Sequence, residues 1–156
     1  MSRAVIFDVD GTLSETEETH RKAFNNAFRQ AGLSWHWDQS LYHELLAVTG
    51  GKERIRFFIE SIGGEGAPLD ELDEFIPALH ARKTVAYTEM VTRGEVELRP
   101  GIRDLVNDAR DRGFRLAIAT TTTPANVDAL LSVTLGGSGD FDVICAGDSV
   151  PNKKPA

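Results

Sequence analysis

The stretch Ala4-Val5-Ile6-Phe7-Asp8-Val9-Asp10-Gly11-Thr12-Leu13 decides the fold. Ala4 to Phe7 is an unbroken apolar run, the pattern of a parallel strand buried on both faces, and it stops at two acids flanking one small apolar residue. The acids therefore fall where a strand gives way to a loop, and in open α/β sheets ligands bind at the carboxyl ends of strands. Two carboxylates that close repel each other unless a cation lies between them, and hard oxygen ligands completed by waters suit Mg²⁺. Gly11 permits a sharp turn, and its amide can approach an anion with no Cβ in the way. By itself Asp-x-Asp-Gly is more often a plain turn closing a strand. The apolar strand before it and Thr12-Leu13 after it shift the balance toward a site.

The rest of the composition narrows the function classes. At 156 residues the chain suits one domain, or a small core with an insertion. Seventeen basic against 24 acidic residues give a formal charge of -7, which argues against a nucleic-acid footprint and an anionic membrane surface. If the substrate is a phosphate ester, any attraction must come from a local cluster and not from the global field. Cys145 has no partner for an internal disulfide and falls in an apolar run, so it reads as a small buried hydrophobe in a reducing compartment. No stretch approaches the ~18 apolar residues of a membrane span. Met1 leads straight into the strand with no signal or transit segment, so a bacterial cytoplasm is expected, or the plastid stroma for a mature plastid form. A monomer acting on a small molecule is the expected state.

After the acidic loop, Ser14-Glu15-Thr16-Glu17 has the form of a capping box, followed by Phe24, Ala27, Phe28 and Ala31 at helical spacing and a stop at Gly32. Asp38 is a good N-cap for a second helix with Leu41, Leu45 and Val48 on one face, broken by Gly50-Gly51. Lys52 opens a third, with Ile55, Phe58, Ile59 and Ile62 inward, and Leu72, Ile76, Leu79, Ala86 and Met90 mark a fourth that Pro77 should kink or divide. From Glu95 the pattern changes to βα alternation. A helix on Ile102, Leu105, Val106 and Ala109 precedes a strand from Phe114 to Ala119, then a helix N-capped by Thr123 with Pro124 first, then a strand from Phe141 to Cys145. The fold predicted is α/β: a Rossmann-like parallel core from residues 1–13 and 96–156, with residues 14–95 an inserted all-helical cap. An insertion directly after the first strand would hang over the strands' carboxyl ends as a lid.

Thr120, at the end of the second strand, can orient a phosphoryl group with its hydroxyl, and the amides of Thr121 and Thr122 can take phosphate oxygens. The competing reading is a threonine-rich N-cap. In the cap, Thr49-Gly50-Gly51-Lys52-Glu53-Arg54 combines amides at a helix start with two cations, so Gly51, Lys52 and Arg54 are candidates for a second anion site. Arg82 and Lys83 could add charge, though basic residues on a helix are usually a solvated face. His20, one turn beyond Thr16, is a candidate for contacting substrate or fixing closure.

Asp8-Val9-Asp10-Gly11-Thr12 resembles the first motif of the haloacid-dehalogenase-like superfamily. The resemblance implies that Asp8 is a nucleophile that becomes an aspartyl-phosphate, that Asp10 is a general acid/base, and that Thr120 is the hydroxyl of the second motif. Lys154, heading Lys154-Pro155-Ala156, resembles the third motif's charge-offsetting lysine; Lys153 does not precede a proline. Gly147-Asp148-Ser149 shares letters with the fourth motif, an acidic loop giving a further Mg²⁺ ligand, but it precedes the lysine instead of following it. That motif is missing. Without its strand, Val5 to Phe7 should form an unpaired apolar edge, and the metal loses a ligand. The expectation is an N-terminal portion of a longer enzyme.

The stretches Asp8 to His20, Trp35-His36-Trp37, Gly50 to Arg54 and Ala119 to Val127 more closely resemble the CbbY-type sugar-phosphate phosphatases. That resemblance implies Mg²⁺-dependent dephosphorylation of xylulose 1,5-bisphosphate, a misfire product that inhibits Rubisco, with one phosphate at the core and the other under the lid. A β-phosphoglucomutase-like mutase shares the fold. Glu17, an acid at the hinge, is a phosphatase-group feature whose expected role is to disfavour retention of the anionic product. A non-catalytic remnant that binds sugar phosphates or a partner is the third reading. A receiver domain, which carries its phosphorylated Asp on a later strand and has no helical insertion after the first, is a further rival, and the lid counts strongly against it.

Overall fold

The computed structural model describes residues 3–149, apart from the side chain of Asp148. The chain divides into two compact units, Met1–Glu17 with Thr88–Ala156, and Glu18–Tyr87. Residues 14–17 and 88–95, expected within the insertion, therefore group with the α/β unit. The reason is local: Ser14 is fully buried and bridges to Asp10 on one side and to Leu98 on the other.

The helical unit is built from α1 (Glu17–Gln30), α2 (Gln39–Leu45), α3 (Gly51–Ser61) and most of α4 (Leu72–Thr92). The capping box expected at Ser14 does not form, because α1 begins only at Glu17. Asp38 does cap α2, accepting from the Leu41 N–H at 2.8 Å. Phe24, Phe28, Trp37, Tyr42, Leu45, Ile55, Phe58, Ile59, Ile76 and Leu79 form its core. Pro77 does not divide α4, which runs through it. It sits near the helix start, and the backbone bond it forfeits is to Asp73, an exposed residue whose carbonyl water can satisfy. Among the described residues, no helix is long and apolar enough to cross a membrane.

In the α/β unit, β1 (Ala4–Phe7), β2 (Arg115–Thr120) and β3 (Val143–Ala146) form a parallel sheet in the order β1-β2-β3. Phe7 lies opposite Ile118, and Thr120 opposite Ala146. α5 (Ile102–Asp111) precedes β2 and α6 (Pro124–Thr134) joins β2 to β3. Two right-handed crossovers running the same way across a sheet put their helices on the same face. Phe7, Leu116 and Ile118, which the register places on one face, are buried, as are Val106 and Ala109 of α5 and Val127, Leu130 and Leu131 of α6. Leu105, expected inward, is exposed.

The opposite face is open: Ile6 is 67% exposed and Val143 54%. Burial of β1 on both faces is thereby corrected, since covering the second face takes a crossover in the reverse direction. Among the described residues β1 is also an edge strand.

Candidate active site

Asp8 follows the last residue of β1, and Thr120 is the last residue of the neighbouring β2, so strand pairing alone brings them to one end of the sheet. Asp8 Oδ1 accepts from the Val9 N–H at 2.8 Å. The turn then closes on itself. The amides of Thr12, Leu13 and Ser14 converge on the Val9 carbonyl at 3.2, 2.9 and 3.3 Å, and Gly11, at φ 74°, donates its N–H to the Ser14 carbonyl at 2.9 Å. The expectation that the Gly11 amide serves an anion is corrected: the turn uses it.

Asp10 is held by a residue that sequence reasoning passed over. Thr16, fully buried, donates its hydroxyl to Asp10 Oδ1 at 2.5 Å. Across the sheet end, Thr120 is 6% exposed and its hydroxyl accepts from the Thr122 N–H at 3.2 Å, so that amide too is engaged locally. Thr121 follows Thr120 at the exit of β2, half-buried. Thr123 stands at the N-cap of α6, but its hydroxyl makes no cap hydrogen bond and is buried without a partner among the described residues. The link at this helix start is instead Asn126 Nδ2 donating to Thr122 Oγ1 at 2.9 Å. Lys154 lies outside the described residues.

The other candidates belong to the helical unit, apart from Glu17, which opens α1 and groups with the α/β unit. Gly50 is the N-cap of α3 at φ 95°, with Gly51 and Lys52 in its first turn. This helix start already has an acid at it, because a Cβ on Gly50 would fall 2.2 Å from Glu53 Oε2. A Cβ on Gly51 would fall 2.4 Å from His80 Nε2, so the imidazole occupies the space that the glycine leaves. Arg54 is not presented to an anion. Its Nε donates to the Leu45 carbonyl at 3.0 Å, Nη2 to the Val48 carbonyl at 3.2 Å and Nη1 to the Tyr42 hydroxyl at 3.3 Å, which makes it the cap of α2's carboxyl end.

His20 is buried, stacked on Tyr87 with ring centroids 4.1 Å apart, and its Nδ1 is 2.8 Å from Lys83 Nζ. Lys83 is 4% exposed, and its ammonium lies 5.1 Å from the ring centroids of both Phe24 and Tyr87. A solvated face was the wrong expectation for it. The signal was present: Lys83 falls in the stripe of Ile76, Leu79 and Ala86, as His20 falls in that of Phe24 and Ala27.

His80 senses the same charges. Burial first, then Lys83 and Lys52, lower its pKa from 6.5 to about 4, with Glu53 opposing and His20 adding to the shift. The folded chain therefore binds this proton less readily than the unfolded one. Stability present above pH 6.5 should drain away as pH falls toward 4, by roughly 2 to 3 kcal/mol in all. Urea unfolding at pH 7.5 and pH 4.5 checks this. The difference between the two is expected to shrink by about that amount in His80→Gln, and an unchanged difference would refute it.

Asp8 and Asp10 offer an oxygen-only pair of carboxylates at a strand end, the donor chemistry of a Mg²⁺ site completed by water and substrate phosphate oxygens. Among the described residues, no group of three or more His, Cys, Asp or Glu could hold a metal ion. The pair fits the ion as a partial set.

Comparison with known proteins agrees with this geometry. The family model of haloacid dehalogenase-like hydrolases matches residues 2–156. The protein CbbY of Cereibacter sphaeroides is 49% identical over 158 residues, an alignment covering 100% of this chain and 66% of CbbY. The crystal structure of CbbY from Rhodobacter sphaeroides in complex with phosphate superposes with a TM-score of 0.90 at 49% identity, covering 100% of this chain and 68% of that one. A mutant of that protein in complex with xylulose-(1,5)bisphosphate matches equally, with a TM-score of 0.90 at 48% identity and the same coverage. The chain thus spans about two thirds of the length of the curated relatives it matches. A family match along nearly the whole chain, meeting two acids at the end of β1 and a threonine at the end of β2, places the protein among the haloacid dehalogenase-like hydrolases.

Proposed function

We propose that the chain carries the reacting groups of a Mg²⁺-dependent sugar-phosphate phosphatase that works through an aspartyl-phosphate, with xylulose 1,5-bisphosphate as substrate. The observation that carries the reading is the Asp8–Asp10 turn beside Thr120 at one end of a parallel sheet. Likeness to a CbbY structure that holds the bisphosphate supports the choice of substrate.

In the first step an Asp8 oxygen attacks phosphorus in line, and the bond to the sugar oxygen breaks. Asp10, oriented by Thr16, gives the leaving alkoxide its proton and then takes one from the water that cleaves the aspartyl-phosphate. The Thr120 hydroxyl orients an equatorial phosphoryl oxygen, and Lys154 offsets its charge. Asp8 and Asp10 would hold Mg²⁺, which when bound would neutralise charge at the phosphoryl oxygens. The second phosphate is assigned to the helical unit, through the first turn of α3 and Lys52, with Glu53 giving way; Glu17 keeps its expected role against product retention. Arg54 drops out of the binding set because the end of α2 uses its guanidinium.

The test is Mg²⁺-dependent phosphate release from xylulose 1,5-bisphosphate by the purified chain, with products analysed for phosphoryl return to the sugar. Free phosphate together with the sugar monophosphate supports the reading, and isomerised bisphosphate would favour the mutase. Thr16→Val keeps the shape and removes the donor to Asp10, so kcat is expected to fall about tenfold. KM should hold, and Thr16→Ser should restore most of the rate. Steady-state kinetics on the three forms decides.

A further inference from the structure

We infer that Arg99 is a positioning residue that fixes the turn carrying Asp8 and Asp10, an inference that rests on the reading of that turn as the reactive one. Arg99 lies on the segment that leads from α4 into α5, yet it meets the first turn of the chain at three places. Its N–H donates to the Leu13 carbonyl at 2.8 Å, its Nη1 to the Gly11 carbonyl at 2.5 Å, and its Nε pairs with Glu15 Oε1 at 3.1 Å. Leu98, its neighbour, bridges to Ser14. All of these residues belong to the α/β unit.

The contact with Gly11 is the one that matters. The peptide between Gly11 and Thr12 has its N–H on the Val9 carbonyl at 3.2 Å and its oxygen on the Arg99 guanidinium. Gly11 is at φ 74°, and a glycine there has no side chain to resist rotation of this peptide. A charge-assisted donor on the oxygen locks the plane from outside the turn. Releasing it frees Thr12 to leave Val9, the residue between the two acids. The Arg99–Glu15 pair is largely exposed, with side chains 48% and 71% accessible, so it adds little to global stability. Displacement of a reacting carboxylate by an ångström is a far larger effect on rate.

The experiment compares Arg99→Gln, Arg99→Lys and Glu15→Gln with wild type in phosphate release and in amide hydrogen exchange. For Arg99→Gln we expect kcat to fall roughly 30-fold with KM within about twofold, and the Thr12 amide to exchange at least about tenfold faster, while α6 amides keep their protection. Arg99→Lys should recover part of the rate. Glu15→Gln, which leaves the guanidinium on Gly11, should behave as wild type in both. Unchanged turnover in Arg99→Gln, or loss of protection throughout α6, overturns the inference. If wild type releases no phosphate in an Asp8-dependent way, the reading of the turn fails instead, and exchange at Thr12 still decides whether Arg99 clamps it.

Discussion

Asp8→Asn is expected to lower phosphate release by roughly 10⁴-fold or more, the scale of losing a nucleophile that nothing else replaces. The substitution is chosen because it changes reactivity and little else. An asparagine amide has the same outline as the carboxylate, and its oxygen can still accept the Val9 N–H. Thermal unfolding should therefore match wild type, and binding of the bisphosphate should persist. Removing Mg²⁺ from wild type should also stop turnover, but reversibly. If Asp8→Asn retains a tenth of the wild-type rate, the covalent route is wrong. The alternative would be direct attack by water, with Asp10 as base.

The second large effect is structural. Trp37→Ala is expected to cost the helical unit about 3 to 5 kcal/mol, the range for deleting a large buried aromatic. Trp37 is fully buried, with ring centroids 4.6 Å from Phe24, 4.9 Å from Phe28 and 5.3 Å from Phe58. Asn25 grips its backbone from both sides, accepting its N–H and donating to its carbonyl, each at 2.8 Å. Losing the ring thus empties the centre of a small core whose whole stability is of order 5 to 15 kcal/mol. Trp37→Phe is the informative control. The indole N–H is buried without a hydrogen-bond partner among the described residues, so phenylalanine removes an orphan donor together with part of the volume. It should cost well under half as much as alanine. Urea unfolding followed by circular dichroism measures both, and equal losses would show that packing of the ring is not the source.

Asp8, Asp10 and Thr120 were legible in the sequence because their placement is encoded within a few residues: an apolar run of strand length, then a polar group where it ends. The helix faces were legible for the same reason, and Asp38 as a cap follows from its neighbours alone. What could not be read depends on how the chain folds back on itself. Arg54 looks like an anion ligand until the end of α2 comes within reach of its guanidinium. Gly11 looks like an open amide until the turn folds back and brings the Ser14 carbonyl to it. Thr16 and Arg99 carry no motif: Thr16 reaches Asp10 only once the turn folds back, and Arg99 reaches Gly11 across 88 positions of sequence. Lys83 is an intermediate case. Its position in an apolar stripe announced burial, and the general habit of lysines on helices outweighed it.

The pairing of β1 with β2 has a consequence in time. Phe7 and Ile118 are neighbours in the sheet but roughly 110 residues apart along the chain, whereas in the helical unit His20 and Lys83 meet across 63 positions. Closing so long a loop is entropically slow, and local contacts form first. During synthesis the helical unit is complete before β2 exists, and the strand that delivers Asp8 waits without a neighbour. Its apolar residues are most exposed then, and a chaperone that binds short hydrophobic segments would find them at that stage. The reactive turn is thus the first part to be made, yet it waits for β2 before it can take shape.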